Sequence, residues 1–330
     1  MTSLAPTLEA FFTERLISQR RASSHTVASY RDTFRLLLDF AQTHTGKTPS
    51  QLDLADVDAV LVGRFLNHLE EDRGNSVRTR NNRLAAIHSL FDYAAFRHPD
   101  HAALIQRVLA IPAKRTDRHL VTYLTEPEVD ALLAAPDRDT WVGRRDHTLI
   151  LVAIHTGLRV SELTALTNAD VELGVGAHLR CHGKGRKERI TPLTTETVAV
   201  LRTWMTERQG TPADPLFPSR RSGPLTRDAV AARISHHTRT ASTDDAPSMA
   251  SKHVTPHVLR HTCAMRLLAA GVDTTVIALW LGHESVETTQ IYLHADLSIK
   301  ERAIARTTPT GTKPGRYRPP DTLLAFLEAL

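Results

Sequence analysis

Cysteine is nearly missing from this chain, with only Cys181 and Cys263 in 330 residues. They lie far apart in sequence and lack metal-ligand spacing, which argues against a disulfide framework or a zinc site and for a reducing compartment. Long apolar runs are missing too. The best candidate, Thr148 to Ile154, is far too short to span a bilayer, so no membrane partner is expected. The N-terminus, MTSLAPTLEAFFTERL, carries an early acidic residue and no extended apolar core, which excludes a signal peptide and leaves a cytoplasmic location as the expectation. There is no G-x-x-x-x-G-K-[ST] loop, no D-D-E-like carboxylate cluster and no repeat of solenoid period.

What is present is positive charge. The formal net charge is +5, the isoelectric point is near 9.4, and 18 histidines can add to it in acid. A basic excess of this kind favours an anionic partner, nucleic acid first. Apolar residues at 41% and charged residues at 23% are ordinary for a folded chain, and the length suits two cores.

The first part of the chain reads as four helices forming a small bundle over residues 1–110. Leu8, Phe11, Phe12 and Leu16 stripe the first. Ser24 caps a second, Asp56 opens a third, and a fourth starts near Ser76 and ends near Pro99. Its opening, SVRTRNNR, puts Arg78, Arg80 and Arg83 at one helix start, where arginines and terminal N–H groups together suit phosphate; a solvated polar face explains them equally well. Residues 111–123 read as a linker whose Lys114 and Arg115 could follow a DNA backbone. Thr125-Glu-Pro-Glu128 is a capping box, and a mostly helical second domain is expected over 124–306. Within it, HLRCHGKGRKERITPL alternates and turns at Gly183-Lys184-Gly185, predicting two strands and a basic tip with Arg186 and Lys187. The run ASTDDAPSMASK reads as a flexible loop. Residues 307–330 combine a Pro/Gly-rich linker with a tail helix whose Leu323, Phe326, Leu327 and Leu330 form an apolar stripe.

Taken singly, the polar residues of the second domain have bland readings. Arg159 lies among core-like neighbours and could simply pair with Glu162. Lys184 at a hairpin tip is usually solvated, and Lys187 is its rival for any role. His257 and Arg260 share a helix face, His283 follows a helix stop at Gly282, and Tyr292 in an amphipathic helix suits a core position.

In combination they are specific. GLRVSEL, GKGRKER, TPHVLRH and LGHESVETTQIYLH follow one another over roughly Leu124 to Arg306. This part of the chain resembles the catalytic domain of the tyrosine recombinases, the phage-integrase and Xer-like family. The helical first part resembles that family's SAM-like core-binding domain in plan and position. The resemblance implies a mainly α fold with a small β-hairpin. It implies Tyr292 as nucleophile, Arg159 and Arg260 as phosphate-binding arginines, His257 as general base, Lys184 as general acid and His283 as a phosphate donor. Glu162 and His261 would support these side chains. It further implies double-stranded DNA as partner, a 3′-phosphotyrosine intermediate, strand exchange through a Holliday junction, a tetramer on DNA, and a tail helix, 321–330, docking in trans. Neither metal nor ATP is implied, since side-chain cations serve the phosphate and the covalent link stores the phosphodiester's energy. Two other readings stay open here. One is relaxation of supercoils in the manner of a type IB topoisomerase, and the other is a DNA-binding regulator without catalysis.

Overall fold

A computed structural model of the chain describes residues 2–116, 121–182, 188–221, 223–282, 289 and 292. The chain divides into two compact units, Met1–His119 and Leu120–Leu330.

The first unit is helical. Helix α1 (Leu4–Ala10) continues as a π-helix, Phe11–Gln19, and is followed by α2 (Ser24–Thr45), α3 (Ala59–Glu71), α4 (Val77–Arg97) and α5 (Ala102–Leu109). The expectation of four helices therefore misses one. Helix α4 stops ahead of Pro99, but Pro99–His101 turn as a short 3₁₀ segment that leads into α5, which buries Ile105 and Val108 on one face. Two cap assignments shift by a residue or two. Ser23 rather than Ser24 caps α2, and Asp58 rather than Asp56 caps α3. Asp56 instead belongs to a 3₁₀ turn and pairs with Lys47 at 2.6 Å. The apolar faces meet in one core built around Phe11, Phe34, Leu37, Phe65, Leu66, Ile87 and Phe91.

The start of the expected linker belongs to this bundle. The Asn81 side chain donates to the Lys114 carbonyl at 2.8 Å and accepts from the Lys114 N–H at 3.1 Å, so an amide side chain pairs with extended backbone as a neighbouring strand would. Arg80 Nη1 donates to the Pro112 carbonyl at 3.1 Å.

In the second unit, α6 (Glu126–Ala134) starts at the anticipated capping box, with the Thr125 N–H donating to Glu128 at 2.8 Å. Helix α7 (Trp141–Thr156) is the central buried element and stops at Gly157, whose φ of 62° is the left-handed cap conformation that glycine allows. A short α8 (Val160–Ala165) follows, and then a three-stranded antiparallel sheet, β1 (Val171–Glu172), β2 (His178–His182) and β3 (Glu188–Pro192), in the order β1-β2-β3. The chain continues through α9 (Thr195–Arg208), α10 (Arg227–Asp244), α11 (Pro256–Ala269) and α12 (Thr274–Leu281).

The loop expected over ASTDDAPSMASK is ordered instead. Helix α10 runs on to Asp244, and Pro247–Ser251 forms a 3₁₀ turn that buries Met249. Lys252 then closes onto Glu128 at 2.6 Å, tying this segment to the start of α6. The segment's polarity hides the three apolar residues, Ala241, Ala246 and Met249, that carry its packing. Among the described residues no helix is long and apolar enough to cross a membrane.

Three buried carboxylates make this unit acid-sensitive. Asp146 accepts from Arg145 at 2.7 Å and from His237 at 3.0 Å. Glu128 accepts from Lys252, the Thr125 N–H and Ser248, and Glu162 from two arginines. Burial alone would raise each carboxyl, but the hydrogen bonds and neighbouring cations outweigh it and hold all three below their ordinary range. His147 and His155 are pushed down by burial. For both kinds of group the unfolded chain takes up protons first as pH falls, so stability drops with acidification. We expect the melting temperature to fall gently as pH passes about 6.5 and steeply below about 4, the ordinary histidine and carboxylate ranges. Thermal melts between pH 8 and pH 3 check this, and a melting temperature that rises on acidification would contradict it.

Candidate active site

The site is assembled from helix ends. Arg159 caps α8, and its backbone N–H donates to Glu162 at 2.8 Å, an inward-turned carboxylate only 3% exposed at the side chain. Its Nη1 donates to the same carboxylate at 2.9 Å, and its Nη2 reaches across to the Gly282 carbonyl at 2.8 Å. The guanidinium is one-third exposed, so it keeps a face for a ligand.

Arg260 projects from α11, which Thr255 caps, its Oγ1 accepting from the Val258 N–H. Arg260 is only 3% exposed and donates to the Gly157 and Leu281 carbonyls, each at 2.7 Å. These carbonyls lie at the C-terminal ends of α7 and α12, where the aligned peptide dipoles are negative and unsatisfied acceptors remain. Burial lowers its pKa to about 10, with Arg159 adding to the effect, so it remains a cation at neutral pH. Arg159 and Arg260 thus hold consecutive carbonyls, Gly282 and Leu281, and two forks of positive charge stand side by side at the end of α12.

Tyr292 lies close by. It is 1% exposed, packs with Cys263, Met265, Leu268, Ile277 and Leu281, and shares a 3.0 Å hydrogen bond between its hydroxyl and His261 Nδ1. Burial pushes the phenol up to about 12, with Arg260 pulling the other way. His257 is exposed at the start of α11 and its ring meets that of His261 edge-on, 4.2 Å between centroids. The resemblance implies the base's role for His257 and a supporting role for His261. In the structure His261 is the histidine hydrogen-bonded to the phenol.

The remaining candidates divide. Lys184, Arg186, Lys187 and His283, and the tail helix 321–330, lie outside the described residues. Arg78 and Arg115 are exposed, and Arg83 is half-buried with its pKa lowered by burial and by Arg73. Arg80 does not face solvent as expected. It is 5% exposed and committed to Pro112 and Asn81, because the fourth helix turns that position inward. Lys114 is paired with Glu70 at 2.6 Å.

One residue escaped the sequence reading. Arg189 on β3 clasps Glu162 with both terminal nitrogens, each at 2.8 Å. Its signal was the strand alternation. In the β2–β3 register Cys181 faces Arg189 and Leu179 faces Thr191 on the inner side, while Arg180 and Ile190 pair outward, leaving Ile190 63% exposed. An arginine two residues from Thr191, on the same inward strand face, needs an acceptor inside the fold, and here Glu162 supplies it.

This geometry can be set beside known proteins. The sequence profile of the phage integrase family matches residues 122–298, and that of the phage integrase N-terminal SAM-like domain matches residues 10–98. The chain belongs to the phage integrase family. Among its relatives is y4rC of Sinorhizobium fredii, an integrase/recombinase by name, 58% identical over 99% of this chain and 98% of that protein. The tyrosine recombinase XerD of Pseudomonas putida is 33% identical over 91% of this chain and 96% of its own length. Among solved structures, the fold is shared with the XerH site-specific recombinase bound to its palindromic difH substrate. That match has a TM-score of 0.69 and 24% identity, and covers 87% of this chain and 81% of the other. A lambda integrase dimer bound to a core site matches with a TM-score of 0.64 at 18% identity, covering 89% and 96%. The reading as a tyrosine-type, site-specific DNA recombinase with a mainly α fold therefore holds.

Proposed function

We propose that this recombinase exchanges DNA strands at paired sites by transient attachment to Tyr292. The phenol oxygen attacks a phosphorus and the 5′-oxygen leaves, giving a 3′-phosphotyrosine and a free 5′-hydroxyl. A 5′-hydroxyl from a partner strand then attacks the phosphotyrosine, restores the phosphodiester and releases the phenol. The observation that carries this is the seating of Arg159 and Arg260 on consecutive carbonyls, beside the buried tyrosine of the same segment. Two guanidinium forks suit the two non-bridging oxygens of a phosphate whose negative charge grows in the transition state.

A phenol with an ordinary pKa near 10 is a weak nucleophile until a base takes its proton. His261, already bonded to that hydroxyl, and His257 beside it supply an imidazole pair for this step. In the proposal Lys184 protonates the departing 5′-oxygen and His283 donates to the phosphate. The bundle and the segment through Arg115 bear on the DNA through Arg78, Arg83 and Arg115. Exchange proceeds on a tetramer, through a Holliday junction, with the 321–330 helix docking on a neighbouring protomer. Relatives named as recombinases across nearly the whole chain favour exchange over simple relaxation.

The test is exchange itself. A library of nicked duplexes, screened for covalent capture, yields the site, and two labelled duplexes bearing it are then incubated with the protein. Recombinant duplexes and a four-way junction are expected without ATP. Capture with relaxation of plasmids but no exchanged strands would replace this reading with a topoisomerase's.

A further inference from the structure

The buried Glu162 carboxylate is shared by two arginines on different elements. Arg159 reaches it from the cap of α8 at 2.9 Å, and Arg189 from β3 at 2.8 Å with both Nη atoms. Together with the Arg159 N–H at 2.8 Å, these bonds saturate the carboxylate. The charges of the trio matter more than their number. Glu162 with Arg159 alone would be neutral, and the carboxylate would cancel the cation that a phosphate needs. With Arg189 present the buried trio keeps one net positive charge, on the side where Arg159 remains one-third exposed.

The trio also meets α12. Arg159 Nη2 holds the Gly282 carbonyl, and Arg189 Nη1 fills the space beside Gly282 so closely that a Cβ there would come within 2.7 Å of it. Gly282 has a φ of 63°, so two independent reasons keep this position a glycine. Both arginines thus converge on the residue that ends α12, and the strand carrying Arg189 is coupled to the arginine that binds phosphate.

We propose that Arg189 is a positioning residue for DNA cleavage: it neutralises Glu162, so that Glu162 orients Arg159 without cancelling its charge. This rests on Arg159 being a phosphate-binding group, as proposed above. Arg189 itself spends its fork on Glu162 among the described residues and makes no contact with DNA in this account.

The experiment compares single-turnover adduct formation on the nicked duplex, duplex affinity at several salt concentrations, and melting temperature. The variants are Arg189→Met, Arg189→Lys, Arg159→Ala, and Arg189→Met combined with Glu162→Gln. Arg189→Met should slow adduct formation by about 10- to 100-fold, the usual loss when a functional side chain loses its orienting partner. Affinity should fall only slightly compared with the rate, because one phosphate contact among many is weakened and none is removed. Arg189→Lys, which keeps the charge but not the fork, should fall between. Adding Glu162→Gln to Arg189→Met removes the unopposed anion and should recover most of the lost rate.

If Arg189→Met loses duplex affinity as steeply as it loses rate, Arg189 touches phosphate directly and the proposal is overturned. It is equally overturned if the double variant is slower than the single one, if both Arg189 variants lose their folded state, or if Arg189→Met has no effect. Arg159→Ala separates the two levels. Full adduct formation by that variant would remove the underlying reading, whereas loss there with normal Arg189→Met behaviour would remove only this proposal.

Discussion

Arg260→Ala is expected to reduce covalent adduct formation by about 100- to 1,000-fold, the scale of deleting one preorganised donor to a developing anionic oxygen. Arg260 has an unusual position for a cation. It is buried, and among the described residues its fork is met by the Gly157 and Leu281 carbonyls instead of by a carboxylate. Carbonyls orient a guanidinium without neutralising it, so the charge is held in a low-dielectric setting ready for a phosphate. The same arrangement separates catalysis from stability. Removing the side chain loses two charge-assisted hydrogen bonds, about 1.5–3 kcal/mol each, but also relieves the burial of a charge. The melting temperature should therefore fall far less than the rate suggests. Arg260→Lys keeps the charge but not the planar fork, and should recover part of the rate. Adduct formation under single-turnover conditions, read with a thermal melt of each variant, checks both halves. A variant that keeps wild-type adduct formation would remove Arg260 from the phosphate site.

Much of this site could be read from local chemistry. Thr125 and Ser76 were legible as caps because a short hydroxyl side chain before a helix can satisfy a terminal N–H, whatever the fold around it. Gly282 was legible as a stop for the complementary reason, since it takes a positive φ that other residues resist. What could not be read was where those ends meet. That Arg159 reaches Gly282 and Arg260 reaches Leu281 depends on packing between segments more than a hundred residues apart in the first case.

The misreadings have the same origin. Arg80 looked like its neighbours Arg78 and Arg83, but one helical register step turns it into the bundle, where the 112–114 segment supplies its acceptors. Arg189 ends the basic run GKGRKER and was not singled out there, yet the pairing of β2 with β3 sets it opposite Cys181 on the inner face. The segment over Ala241–Lys252 looked flexible because its polar residues outnumber the few apolar ones that anchor it. In each case a long-range partner, invisible in a local window, decided the outcome.

The largest expected effect belongs to Tyr292. Its hydroxyl is bonded to His261 and its ring is 1% exposed, with the phenol pushed up to about 12 by burial. A phenol so placed is protonated at neutral pH and shielded from bulk water. Attack on DNA therefore requires that the substrate's arrival bring a phosphate against the two arginines and let the imidazole pair take the proton. Phenylalanine keeps the ring that packs against Leu268 and Ile277 and deletes only the oxygen. Tyr292→Phe should fold, melt within about 1–2 kcal/mol of the original, the worth of one hydrogen bond, and bind DNA normally. It should form no covalent link at all, because no other atom can take the nucleophile's place.

The most direct measurement is therefore capture on a nicked duplex bearing the site, followed by digestion and mass analysis of the DNA-linked peptide. One covalent band is expected for the unaltered protein, its phosphodiester remnant on Tyr292, and no band for Tyr292→Phe. A band that persists in Tyr292→Phe, or a remnant found on any other residue, would contradict it.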